Sequence, residues 1–226
     1  MGNEKTDYRV NIEELRYDWP LILLILLLVV ASVLVYPHLP GRVPTHWNSH
    51  GQVDGYSSRS FAAFFLPLLT IWIYGLLVLL PLLDPQRPNY ALFTGVYRVL
   101  RSALVVLLSG IWAVSILSGL GYSLNVQLIV KGAVGLLLLL FGSLMGQIRF
   151  NHFVGVRTPW TLADERVWQQ THLFTGRVWV LGGLLLLLGA SVPGALGLVF
   201  YLGVLGMMIV APIIFSYLEY ARINSR

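Results

Sequence analysis

The stretch Leu196–Leu218, LGLVFYLGVLGMMIVAPIIFSYL, runs for 23 residues without one charged side chain. A helix rises about 1.5 Å per residue and the hydrocarbon core of a bilayer is about 30 Å thick, so roughly 20 apolar residues suffice to cross it. This stretch therefore reads as a transmembrane helix. Working outward from it, similar runs occupy Pro20–Tyr36, Phe61–Leu83, Leu100–Leu120 and Leu124–Gly146, and a shorter one occupies Arg177–Ala190. The short run has an upstream extension, Leu162–Gly176, that contains no proline. Thr161 followed by Asp164 has the form of a helix start. One long helix from about 162 to 190 is expected, its first half lying in or above the membrane interface.

The chain thus reads as all-α, a polytopic membrane protein with six transmembrane helices. Residues 19–220 form a single membrane domain, with spans at about 20–36, 61–83, 100–120, 124–146, 177–190 and 196–218. Residues 1–18 are a polar lead-in in which Tyr8, Ile12, Leu15 and Trp19 suggest a short amphipathic helix, and residues 221–226 are a tail. The first run is expected to be retained as a span, because Tyr36-Pro37-His38-Leu39-Pro40 is a poor cleavage site.

Composition narrows the chemistry. Of 226 residues, 57% are hydrophobic and only 11% charged, with a mean hydropathy of +0.75, which leaves no segment for a large extramembrane catalytic domain. The absence of cysteine removes thiol nucleophiles, zinc knuckles and iron–sulfur ligation. Any metal would need His, Asp or Glu. The net charge of +5 is scattered around the apolar runs, and its longest cluster is Arg98 and Arg101. That is not the basic stripe of a nucleic-acid binder, and the expected surrounding is the lipid bilayer.

The positions of Lys and Arg set the orientation. With the amino terminus inside, the inner side holds Lys5, Arg9, Arg16, Arg87, Arg98, Arg101, Arg149, Arg157, Arg166, Arg177, Arg222 and Arg226; the outer side holds Arg42 and Arg59. Both termini are expected to be cytoplasmic. Lys131, within the fourth run, is expected to snorkel outward. Gly142 and Gly146, four apart, are read as helix-packing positions.

Two connections are long enough to form a site. In the outer one, residues 37–60, the prolines at 37, 40 and 44 hold the chain extended, and Asn48 to Gly51 and Asp54-Gly55 carry turn chemistry. Here His46 and Asn48 are expected to hydrogen-bond the loop and Asp54 to close a turn. The sharper alternative is a metal site from His46, His50 and Asp54. In the inner one, residues 147–176, Gly155 permits a sharp bend, Pro159 delays the helix, and Trp168, His172 and Gly176 share one helical face. Arg157 is expected to staple the turn to Asp164 or Glu165, and Trp168 and Trp179 to anchor at the interface.

Leu39-Pro-x-x-Val43-Pro44-x-His46-x-Asn48-x-x-Gly51-x-x-Asp54-Gly55, directly after a first span, resembles the membrane domain at the front of SdpI-type immunity proteins. His50 lies outside that pattern, and Arg59 stands where the family more often has Lys. The inner loop resembles the family's second signature at Gly155, Arg157, Pro159, Thr161, Trp168, His172 and Gly176. Together the resemblance covers roughly residues 19–220. It implies a multipass protein of the bacterial inner membrane that protects its cell from a secreted peptide toxin. The outer motif, Pro44, His46, Asn48, Gly51 and Asp54, would be the sensing surface, and the inner motif the transmitter to a cytoplasmic repressor held at the membrane. No cofactor is implied and no enzyme is expected. Two alternatives remain open: a metal-dependent membrane hydrolase using His46, His50 and Asp54, and a small-solute transporter. Against the latter, no carboxylate lies inside a span.

Overall fold

The computed structural model describes residues 16–225. The amphipathic helix expected over residues 1–18 falls outside them except for its last three positions. From Trp19 onward the chain forms α1 (Trp19–Val35), strands β1 (Arg42–Trp47) and β2 (Val53–Ser58), and helices α2 (Arg59–Leu79), α3 (Thr94–Gly119) and α4 (Val126–Met145). It continues with the short α5 (Pro159–Ala163), then α6 (Glu165–Gly189) and α7 (Gly194–Asn224). Six of these helices are long and apolar enough to cross a membrane, α1 to α4, α6 and α7. The expected count of spans therefore stands, and the all-α polytopic class with it.

Three boundaries differ from expectation for identifiable reasons. Helix α3 starts at Thr94 rather than near 100, because Val96, Tyr97 and Leu100 pack with Tyr90 and Phe93 of the preceding inner loop into a buried cluster. Helix α7 continues past 218 to Asn224, its polar extension carrying an i,i+3 pair between Glu219 and Arg222. The single helix expected from 162 is broken at Asp164, which is extended (φ −145°, ψ 124°) and accepts the Arg166 amide as N-cap of α6. An aspartate serves better as a cap than inside a helix. The capping box lies one step earlier, between Thr158 and Thr161, with Pro159 in the first turn of α5.

The outer loop carries strands that alternation did not reveal. β1 and β2 pair antiparallel, Val43 opposite Ser57 and His46 opposite Gly55. Pro44 removes a donor, which a strand tolerates where one edge stays unpaired. Val43 is fully buried against Leu39, Ala63, Trp112 and Ile116, so the hairpin is seated on α2 and α3. The Ser115 hydroxyl of α3 donates to the Pro44 carbonyl at 2.7 Å.

The spans form two groups. α1, α2 and α3 pack together under the hairpin, while α4, α6 and α7 pack around Leu186, Tyr201, Val204 and Met208. α4 and α6 approach so closely that a β-carbon at Gly142 would lie 2.6 Å from the Val180 amide nitrogen, and one at Gly183 2.7 Å from that of Leu139. Between α3 and α4 the contact is sparse, and an apolar groove of about 520 Å³ opens there.

Both groups contain a proline inside a span, Pro67 in α2 and Pro212 in α7. Each proline lacks the N–H that would bond the carbonyl four residues earlier. The orphaned carbonyls receive indole N–H groups from neighbouring helices: Trp112 Nε1 donates to Ala63 at 3.0 Å, and Trp179 Nε1 to Met208 at 2.9 Å. Trp179 is thus committed to a helix–helix bond instead of the interfacial role expected of it.

The hairpin tip and the start of α6 lie at opposite ends of the bundle, and the charge asymmetry predicts that the tip faces outward. In this cysteine-free chain, Ser49→Cys should be labelled by an impermeant maleimide on intact cells and Gln169→Cys only after permeabilisation. The reverse pattern contradicts the assigned orientation.

Candidate functional site

In the outer motif most positions build the hairpin. The Asn48 side-chain carbonyl accepts the amides of His50 and Gln52 at 2.9 and 3.1 Å, and its backbone N–H donates to the Gln52 carbonyl. The Asx turn expected of Asp54 is thus made by Asn48. Gly51 sits at φ +77°, a left-handed conformation that favours glycine. Gly55 leaves room for the residue opposite, since a β-carbon there would lie 2.7 Å from His46 Cβ.

What faces water is a pair. His46 Nδ1 and Asp54 Oδ1 are in hydrogen-bond contact, with His46 73% exposed and Asp54 43%. Asp54 is the one acidic side chain of the outer connections. His50 does not join them: its ring lies toward Gly194 at the α6–α7 turn, where a β-carbon would be 3.3 Å from Nε2. Among the described residues no three His, Asp or Glu side chains gather to hold a metal. The donor set proposed for a hydrolase is therefore not assembled.

The inner motif is a turn locked onto α6 and α7. His172 of α6 uses both ring nitrogens, Nδ1 donating to the Trp168 carbonyl at 2.8 Å and Nε2 accepting the Val156 N–H at 3.1 Å. The turn passes so close that any β-carbon at Gly155, whose φ is +122°, would collide with Nε2. Trp168 stacks on His172 at 4.0 Å and donates to the Ile148 carbonyl. It is only 2% exposed, a core residue and not the interfacial anchor expected. The Thr161 hydroxyl donates to the Val156 carbonyl, and that of Thr158 reaches Ser216 on α7 at 3.0 Å. Gly176 lets α6 approach the Gly142 carbonyl of α4. Arg157 does not staple the turn to Asp164 or Glu165. Asp164 is taken by Arg166 at 2.7 Å, and Arg157 Nη1 donates to the His152 carbonyl instead.

Sequence reasoning missed the residues that join this turn to the other helix group. Asp84, buried in the α2–α3 loop, accepts from the His152 amide at 2.8 Å, His152 Nδ1 at 3.1 Å, the Gln86 amide and the Tyr90 hydroxyl. Asn151, also buried, accepts the Phe153 and Val154 amides, and Asn89 donates to the Phe150 carbonyl. Burial alone would raise the Asp84 carboxyl, but the His152 and Gln86 amides, the His152 ring and the Tyr90 hydroxyl outweigh it and hold it below the usual carboxylate range. Tyr90, buried beside that charge, is pushed well above the ordinary phenol value. A second buried carboxylate, Asp18, pairs with Arg101 of α3 and accepts the Tyr74 hydroxyl of α2 at 3.0 Å. The one signal for either was a lone Asp at the membrane-side edge of an apolar run.

Because the folded-state value of Asp84 lies below the unfolded value of about 3.9, its contribution is complete above that value. It is lost as pH falls through the folded one. In detergent, Asp84→Asn should lower stability at pH 7 by about 1–3 kcal/mol and flatten the decline of melting temperature as pH falls below about 4. An acid decline as steep as in the wild type would show that Asp84 is not the titrating group.

A model described as a domain of unknown function (DUF1648) matches residues 23–71, which hold most of α1, the hairpin and most of α2. The model of the SdpI/YfhL protein family matches residues 147–217, which hold the inner turn, α6 and most of α7. The chain is 27% identical over 203 residues to a protein of Bacillus subtilis (strain 168) named "Immunity protein SdpI", covering 90% of this chain and 95% of that one. No solved structure matches. With both models in the order in which the two signatures occur, and a relative that matches 90% of the chain, the chain is similar to the SdpI-type family of membrane proteins.

Proposed function

We propose that this protein is a membrane immunity protein of the bacterial inner membrane that gives its cell tolerance to a secreted peptide toxin. The observation that carries this reading is the relative named for immunity, which aligns with nearly the whole chain on both sides of the membrane. The outer hairpin supplies the sensing surface. Pro44, Asn48, Gly51 and Gly55 shape it, and His46 and Asp54 present an imidazole and a carboxylate to water. A pair this exposed contributes at most about 1 kcal/mol to folding, so its placement suits recognition better than stability.

The inner turn, Gly155 to Gly176, is the second half of the proposal, with both termini cytoplasmic. It would hold a cognate repressor at the membrane when toxin is present outside. Support comes from its position, since the turn touches α6 and α7 directly and the preceding His152 ties it to Asp84 of the α2–α3 loop.

The experiment is a tolerance assay in a sensitive bacterium challenged with membrane-active peptides, including any encoded beside the gene. Expression should raise tolerance to the cognate peptide. His46→Ala or Asp54→Ala should reduce that gain about five- to ten-fold, the scale of an interface hot spot, while membrane level and melting temperature stay unchanged. Equal sensitivity with and without the protein across the panel contradicts the proposal.

A further inference from the structure

Within the inner turn every signature residue but one is used up by the fold. Gly155 makes room for His172, Pro159 starts α5, Thr158 and Thr161 cap it, and Trp168 and Gly176 are packed. Arg157 is left over. It is exposed, and its only hydrogen bond among the described residues is the one from Nη1 to the His152 carbonyl. A guanidinium has five N–H donors in a planar fork that matches phosphate.

Arg157 stands at the rim of a groove of about 420 Å³ whose walls are apolar: Trp160 of α5 and Met208, Ile209, Pro212 and Ile213 of α7. The depth of this groove can be read from α7. That helix has 31 residues, and about 20 cross the hydrocarbon core, so counting from its outer start at Gly194 the core ends near Ile213. Just beyond, the Trp160 and Tyr217 rings meet edge to face at 5.2 Å, an aromatic pair at the level where interfacial rings reside. The groove therefore lies in the acyl region and the guanidinium at the headgroups of the inner leaflet.

We propose that Arg157 and this groove bind one anionic phospholipid, the phosphate against the guanidinium and an acyl chain along Trp160, Ile209 and Ile213. Charge complementarity selects the headgroup, and the apolar walls select a lipid over a free anion. The site is independent of the immunity reading and holds whether or not a toxin is recognised outside.

The test uses the purified full chain in uncharged detergent, with retained lipids counted by native mass spectrometry against phosphatidylglycerol or phosphatidylcholine. The wild type should retain phosphatidylglycerol in preference. Arg157→Ala should lower that retention about five-fold, to the phosphatidylcholine level, from the loss of one interfacial cation. Arg157→Lys should keep most of it. Ile213→Trp, which fills the groove from its lipid-facing side and leaves the charge in place, should lower retention of both lipids, so the proposal stays testable if Arg157→Ala is unstable. Equal retention of the two lipids, or no effect of Ile213→Trp, overturns the proposal. Displacement of the lipid by inorganic phosphate as readily as by phosphatidylglycerol reduces the site to an anion site and also overturns it. An acidic peptide that competes equally well assigns Arg157 to a protein partner instead.

Discussion

In hydrocarbon there is no water to satisfy a backbone N–H or C=O, and each one left unpaired costs several kcal/mol. Departures from regular helix in this protein are met by named partners. Pro67 and Pro212 orphan two carbonyls, and Trp112 and Trp179 fill them from adjacent helices. The hairpin meets α3 through the Pro44 carbonyl, which Ser115 satisfies. At the inner end, His172 accepts the Val156 amide and Asn151 those of Phe153 and Val154. These bonds also dictate composition, since such approaches require Gly155, Gly142 and Gly183 to lack side chains.

The same constraint explains how two loosely touching groups of helices cohere. Lipid tails are as apolar as leucine, so apolar contact across the α3–α4 seam would gain little. Polar contact in the loops does the joining. Asp84 and Asn89, from the α2–α3 loop, bond His152 and Phe150 from the loop after α4. On the outer side, Gly51 of the hairpin lies against Gln127 of α4, and both Gln127 and Lys131 donate to the Val192 carbonyl. Lys131, expected to snorkel, is thereby part of the outer turn.

Much of this was legible in the sequence, because spans are recognised by length and apolarity alone, and those do not depend on what the helix packs against. The hairpin was not, since Pro44 in one strand and Gly55 in the other weaken the strand pattern, and Val43 is buried only because α2 and α3 lie beneath it. The break at Asp164 turns on one residue preferring to cap. Asp84 and His152 are 68 residues apart, and nothing local to either announces the other. Of the motif residues, the sequence marked the right set but did not separate those that fold the turn from those that face outward; the separation needs distances. It leaves His46 and Asp54 outside, and Arg157 inside, as side chains presented to something beyond the bulk of the fold.

A buried carboxylate in one helix group, Asp84, holds the signature turn of the other. Hydrogen–deuterium exchange on Asp84→Ala in detergent probes this link. With the link in place in the wild type, amides 151–158 of the variant exchange faster together with amides 84–93, although the substitution lies in the opposite group. If exchange at 151–158 matches the wild type while 84–93 loosens alone, Asp84 does not join the two groups.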